Sequence, residues 1–235
     1  MSTTDNQTQN NIHREIKSFV LRQGKITKGQ QSALEDYLDK YSIQFDKSTL
    51  LNLNNIYNRN APKIIEIGFG MGNATWQIAK NNPQNDYLGI EVHLPGVGSL
   101  LNHIAENEIT NLKIIRHDAV EVLKYSIADN SLDGFHIYFP DPWPKKRHHK
   151  RRIIQSEFIK LLAQKLKPNG YIHLATDWEE YATWMLDILK EESSIKNTSP
   201  TNDFIPRPEF RPLTKFENRG INLGHGVWDL IFTKV

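Results

Sequence analysis

From Lys63 onward, the order of hydrophobic and polar positions predicts strands alternating with helices. Lys63-Ile-Ile-Glu-Ile67 is a short apolar run closed by a glycine-rich turn, and Asn73 to Lys80 follows with helical spacing. Asp86 to Glu91 reads as a second strand, Leu100 to Asn107 as a second helix, and Leu112 to His117 as a third strand. A fourth strand, Leu132 to Phe139, runs into Pro140-Asp-Pro-Trp-Pro144. A helix over Glu157 to Leu166 is stopped by Lys-Pro-Asn-Gly170, Tyr171 to Ala175 forms a fifth strand, and Trp178 to Leu189 a further helix. After a long irregular stretch, Val227 to Phe232 adds an edge strand. The alternation implies an α/β fold: a mostly parallel, doubly wound, Rossmann-like sheet with an antiparallel edge strand, binding ligands at the carboxyl ends of its strands.

What precedes the first strand is different in kind. Residues 1–11 are nearly all Ser, Thr, Asn, Gln and Asp, too polar to offset the entropy of ordering, and read as a disordered tail. Residues 12–60 read as a helical extension, with Ile16, Phe19, Val20, Leu34, Tyr37 and Leu38 at short helical spacings interrupted at Gly24 and Gly29. Residues 61–235 then form the main domain. The whole chain of 235 residues is 38% hydrophobic and 24% charged, enough to bury one sizeable core. It has no cysteine, which excludes disulfides, thiolate metal sites and a cysteine nucleophile. No apolar run approaches the ~18 to 20 residues that span a bilayer, and the start lacks a signal-peptide pattern, so a cytoplasmic protein is expected.

Carboxylates and glycines gather at the expected strand ends. Glu66 stands beside Gly68-Phe-Gly70-Met-Gly72, Glu91 closes the second strand and Asp118 follows the third. Glycines leave the backbone open to close approach by a ligand. Asn73 stands where the dinucleotide fingerprint G-x-G-x-x-G has its third glycine, so a nicotinamide oxidoreductase is poorly supported. A carboxylate beside the turn suits a cationic ligand better than a pyrophosphate. S-adenosylmethionine presents an amino group and sulfonium, then a ribose diol, then an adenine amine, so Glu66, Glu91 and Asp118 match its donors in order. Each carboxylate alone also fits a helix N-cap or a solvated strand end.

Asp141, in the proline-stiffened turn after the fourth strand, is the catalytic candidate, facing the glycine turn across the crevice. Lys145-Lys-Arg-His-His-Lys-Arg-Arg152 follows, with six cationic residues, two histidines and no acid. The net charge is only +2, so this run is where charge segregates. Beginning four residues after Asp141, it suits a polyanionic substrate, with Lys146, Arg147, Lys150, Arg151 and Arg152 as RNA contacts. No metal is expected, because adjacent histidines rarely face one ion and no third ligand is near. Asp177, ending the fifth strand, and Thr214-Lys-Phe-Glu217 offer acceptors for a base edge; Asp177 equally fits the N-cap of the helix after it.

Together these segments closely resemble the bacterial tRNA (guanine-N7-)-methyltransferase family. The resemblance is carried by Glu66-Ile-Gly-Phe-Gly-Met-Gly72, Gly89-Ile-Glu-Val-His93, Phe139-Pro-Asp-Pro-Trp-Pro-Lys-Lys-Arg-His-His-Lys-Arg-Arg152, Ala175-Thr-Asp-Trp178 and Thr214-Lys-Phe-Glu-Asn-Arg-Gly220. Arg14 to Gly24 and Thr27 to Gln31 look like the family's start, so it covers roughly residues 12–235. The resemblance implies a class I methyltransferase fold, S-adenosylmethionine as cofactor and a tRNA guanine, usually variable-loop position 46, as acceptor. It places cofactor contacts on Glu66, Glu91, Asp118 and Asp141, with Gly68, Gly70 and Gly72 in the turn, and substrate contacts on Lys145, Asp177, Thr214, Lys215, Phe216 and Glu217. A noncatalytic tRNA-binding subunit and a methyltransferase for another RNA base stay open as alternatives. Monomer and homodimer are equally compatible with the sequence.

Overall fold

The structure, a computed structural model, describes residues 17–19, 24–213, 217 and 226–235. The polar tail and residues 12–16 and 20–23 of the extension lie outside these. Seven strands are present among the described residues: β1 Lys63–Ile67, β2 Asp86–Ile90, β3 Leu112–Ile115, β4 Leu132–Tyr138, β5 Leu166–Thr176, β6 Ile195–Asn197 and β7 Trp228–Lys234. They form one sheet in the order β3-β2-β1-β4-β5-β7-β6. β1 through β5 pair in parallel. β7 runs antiparallel to both β5 and β6, so three-residue β6 lies outermost and the apolar C-terminal run sits one place in from the edge.

Seven α-helices are present among the described residues: α1 Lys28–Tyr41, α2 Leu53–Tyr57, α3 Asn73–Asn81, α4 Leu94–Glu106, α5 Ala119–Tyr125, α6 Ser156–Lys165 and α7 Glu179–Glu191. Alternate strand residues face opposite sides of the sheet. Ile65, Ile67, Leu88, Ile90, Phe135 and Ile137 pack on the side of α5, α6 and α7. Ile64, Tyr87 and Tyr138 pack on the other, with α3, α4 and α1. None of the described helices is long and apolar enough to cross a membrane.

Gly29 does not interrupt the N-terminal helix. Thr27 and Gln30 form a reciprocal capping box, so α1 starts at Lys28 and carries Gly29 in its first turn, where the Gly29 carbonyl accepts from Asn102 of α4 at 3.2 Å. After α1 the chain runs onto the free edge of β3, with Ser42 bridged to Ile114 and the Ile43 amide donating to the Ile114 carbonyl at 2.8 Å. α4 begins at Leu94, six residues before the helical spacing suggests. At the other end of α6, pairing jumps from Leu132↔Leu166 to Gly134↔Tyr171, so Lys167–Gly170 bulges out of β5, with Asn169 left-handed at φ 66°.

Candidate active site

At the carboxyl ends of β1 to β4 a cleft of about 230 Å³ opens, with Gly68, Glu91, Asp118 and Asp141 on its wall and Ile67, Ile90 and Ile137 as its apolar lining. Four of the seven residues expected to hold a cofactor therefore converge. Gly68, Gly70 and Gly72 have φ of 73°, 55° and 75°, a left-handed run open to glycine alone without strain. A Cβ on Gly68 or Gly70 would meet nothing within 4 Å, so the turn presents bare backbone to open space. Glu91 holds this turn in place: one carboxylate oxygen accepts from the Gly70 amide at 2.9 Å, the other from Val92 and His93 at 2.7 and 3.0 Å. Asp118 does cap a helix, its Oδ1 accepting from Val120 at 3.0 Å, while its Oδ2 pairs with Lys17 at 3.4 Å. Carboxylate oxygens accept more than one hydrogen bond, so both side chains keep capacity on the cleft side.

Glu66 is placed otherwise than its charge suggests. It sits inside β1, 4% exposed, and does not line the cleft. Burial, with the Glu91 charge adding and the Thr75 hydroxyl opposing, pushes its carboxyl up to about 8. It is mostly neutral at pH 7 and offers a hydrogen-bonding group rather than a fixed anion. A shelf of open backbone, apolar strand ends and carboxylates on successive strands fits a ligand with an apolar ring, hydroxyls and a cationic end.

Asp141 is exposed on the cleft wall, between two aromatic residues with left-handed backbone, Phe139 at φ 52° and Trp143 at φ 45°. Such conformations cost non-glycine residues on the order of 1–3 kcal/mol and persist only where neighbours enforce them. The Phe139 amide is held by the Ala175 carbonyl of β5 at 2.7 Å. The other clamp is Arg152, whose Nε donates to the Pro142 carbonyl at 2.9 Å.

The basic run thus divides in two. Lys146–Arg151 form a short 3-10 helix with Lys145 at its N-cap; Lys145, Lys146, Arg147 and Lys150 are exposed, and Arg151 lies over the Trp143 ring at 5.2 Å. Arg152, expected as an RNA contact, is 1% exposed and turned inward. Its guanidinium bonds both carboxylate oxygens of Glu180 and lies over the rings of Tyr181 and Trp184 at 4.7 and 5.1 Å. Among the described residues no three metal-binding side chains converge, at His148 and His149 or elsewhere.

Asp177 is exposed at the end of β5 and does not cap α7, whose N-cap position is Trp178. Thr214, Lys215 and Phe216 lie outside the described residues. Glu217 is 2% exposed, with its two oxygens accepting from Nη1 and Nη2 of Arg211 at 2.7 Å each. Arg211 also donates to both oxygens of Asp229 on β7 at 2.7 Å. Asp229 in turn accepts from His173 Nε2 at 2.7 Å, leaving His173 Nδ1 to accept from the Tyr138 hydroxyl at 3.0 Å. The sequence reading missed this buried network: its members are scattered over β4, β5, β7 and the irregular segment, with no local spacing to join them.

The family model described as "Putative methyltransferase" matches residues 60–230. The tRNA (guanine-N(7)-)-methyltransferase of Methylobacillus flagellatus is 56% identical over 222 residues, 94% of this chain and 92% of the relative. That of Chromobacterium violaceum is 58% identical over 221 residues, 94% and 96% of the two chains. Among solved structures, the 16S rRNA methyltransferase KamB superposes with a TM-score of 0.57 at 13% identity, covering 79% of this chain and 94% of that one. A structure described as an antibiotic related methyltransferase gives 0.52 at 15% identity over 90% and 99%. The distant structures share the class I methyltransferase fold, and the relatives at more than half identity span nearly the full chain. The chain belongs to the tRNA (guanine-N7-)-methyltransferase family.

Proposed function

We propose that this protein works in the cytoplasm, transferring the methyl group of S-adenosylmethionine to N7 of a guanine in the tRNA variable loop. The observation that carries the reading is the position of Asp141. It shares one cleft wall with Gly68, Glu91 and Asp118, and exposed cations begin four residues after it, at Lys145 at the N-cap of the 3-10 helix.

S-adenosylmethionine supplies an electrophilic methyl on a sulfonium. Guanine N7 carries a lone pair and no proton, so attack in line needs no strong base. The residues must instead hold nucleophile and methyl in register and stabilise the positive charge that the purine gains. Asp141 is placed for the charge, and Asp141 or Asp177 can accept from guanine N1–H and its exocyclic amine. Glu91 and Asp118 are assigned to the ribose and adenine ends of the cofactor, with Gly68 beneath it. Glu66, behind the wall, supports the aminoacyl end through hydrogen bonding. Lys145, Lys146, Arg147, Lys150 and Arg151 grip phosphates. Glu217 acts through Arg211, anchoring the chain next to Thr214, Lys215 and Phe216, which keep their substrate-binding assignment.

The test is to incubate the purified protein with unmodified tRNA and methyl-labelled cofactor, then digest the RNA and identify the labelled nucleoside. Label in 7-methylguanosine, mapped to the variable loop, is expected. Label in another nucleoside would overturn the base assignment, and binding of both ligands without transfer would leave a noncatalytic tRNA-binding subunit.

A further inference from the structure

Beside the cofactor cleft lies a second, larger concavity of about 680 Å³, walled by α5, α6 and the end of the basic run. Ser18, Asp118 and Ile153 line both, so the two are continuous. Three exposed lysines outside the basic run meet here: Lys47, Lys124 of α5 and Lys160 of α6. Lys150 and Arg151 of the 3-10 helix complete the cationic wall.

The carboxylates nearby spend their hydrogen bonds on other groups, although the charge of Lys47 acts on Glu121 and that of Lys160 on Glu192. Glu121 bonds His117 at 2.6 Å, Asp118 takes Lys17 and the Val120 amide, and Asp46 takes the Ser48 and Thr49 hydroxyls at 2.8 and 2.7 Å. Glu157 also lines the groove, but among the described residues no carboxylate lies within ion-pair distance, 4.0 Å, of Lys47, Lys124 or Lys160. Instead the Lys47 ammonium stands 4.1 Å from the ring centroid of Tyr125, which is itself exposed. A groove that interleaves cations held in no contact ion pair with an exposed aromatic ring suits a nucleic-acid backbone.

We infer that this groove is a second phosphate track for tRNA, in which Lys47, Lys124 and Lys160 neutralise the backbone as it leaves the methyl-transfer cleft. The inference rests on the proposed tRNA substrate. A polyanion that presents one base to the cleft must continue past its rim, and this rim opens into the cationic groove.

The test replaces Lys47, Lys124 and Lys160 together by alanine and, in parallel, by arginine. tRNA affinity is measured across a salt series, with cofactor affinity and melting temperature alongside. Each phosphate contact contributes ~0.7 to 0.9 to the log–log salt slope, so the alanine triple should lower it by about 2 to 3 and weaken binding roughly 10- to 100-fold near 0.15 M salt. KM for tRNA should rise while kcat at saturation and cofactor affinity hold, and the arginine triple should keep the wild-type slope. An unaltered slope in the alanine triple, or an equal loss in the arginine triple, overturns the inference. Wild-type protein that methylates no tRNA would instead sink the underlying function, so the two failures are distinguishable.

Discussion

Arg152 Nε donates to the carbonyl of Pro142, ten residues back along the chain, at 2.9 Å. One bond thereby joins the end of the basic run to the turn that carries Asp141. Replacing Arg152 with alanine leaves that carbonyl without its donor and empties a buried site over Tyr181 and Trp184, a loss of about 2–4 kcal/mol in stability. Turnover should fall at least about tenfold, because the strained turn loses a clamp, while the salt slope of tRNA binding stays put. Arg151→Ala should do the reverse, lowering the slope by ~0.7 to 0.9 with little change in stability. Urea titration and binding across a salt series separate the two.

Asp141→Asn keeps the shape of the side chain and removes its charge. If that charge stabilises the cationic purine, kcat falls by about 100- to 1000-fold, in the range found when one electrostatic stabiliser is removed. Full turnover at saturating cofactor and tRNA would show that Asp141 is not needed for the reaction.

Glu66 predicts an unusual pH dependence of stability. Its folded pKa, raised by burial to about 8, lies above the ordinary 4.5. The folded state therefore holds a proton that the unfolded state has released, and stability declines as pH rises from about 4.5 to about 8. His136 and His173 act in the opposite sense, since burial lowers both below 6.5 and stability is lost as pH falls beneath that value. Glu66→Gln should flatten the alkaline limb and leave the acid limb, as read from unfolding free energies across pH. A wild-type profile that is already flat from pH 6 to 8 would contradict the assignment.

Arg211 is held by two carboxylates at once, and neither Asp229 nor Glu217 is exposed by more than 2%. Arg211→Ala leaves buried carboxylates without their cation and should cost about 3–5 kcal/mol. Burial alone would raise the Asp229 carboxyl, yet the hydrogen bonds from His173 and Arg211 hold it below 3.8. That contribution is present above pH 3.8 and fades as pH falls below it, so the variant's stability deficit should shrink in acid. A deficit independent of pH would assign the effect to packing.

Much of the central sheet was legible because β1, β2 and β4 are nearly unbroken buried runs between turn signals, and the glycine turn with Asp141 follows directly. What escaped depended on distant contacts. Leu94-Pro-Gly-Val-Gly98 resembles a loop, yet it opens α4: a Cβ on Gly96 would come within 2.1 Å of the Gly70 carbonyl and one on Gly98 within 2.7 Å of the Gln30 carbonyl. Those glycines are contact points between elements. Arg151 and Arg152 are indistinguishable as letters in a basic run, and only Pro142 and Glu180 decide which turns inward. Glu66 looked like an anion because its burial follows from neighbours on both sides of β1. Lys47, Lys124 and Lys160 are unremarkable singly and form a patch only when α5 and α6 pack.

Both free edges of the sheet are blunted. On one side residues 42 and 43 lie along β3 and occupy the Ile114 carbonyl; on the other, β6 offers only three residues. Long open edges let identical chains zip together through their backbones. Here a second copy would have to peel away Ser42 and Ile43 or settle for a single short strand, so the described edges offer little backbone for chain-to-chain pairing.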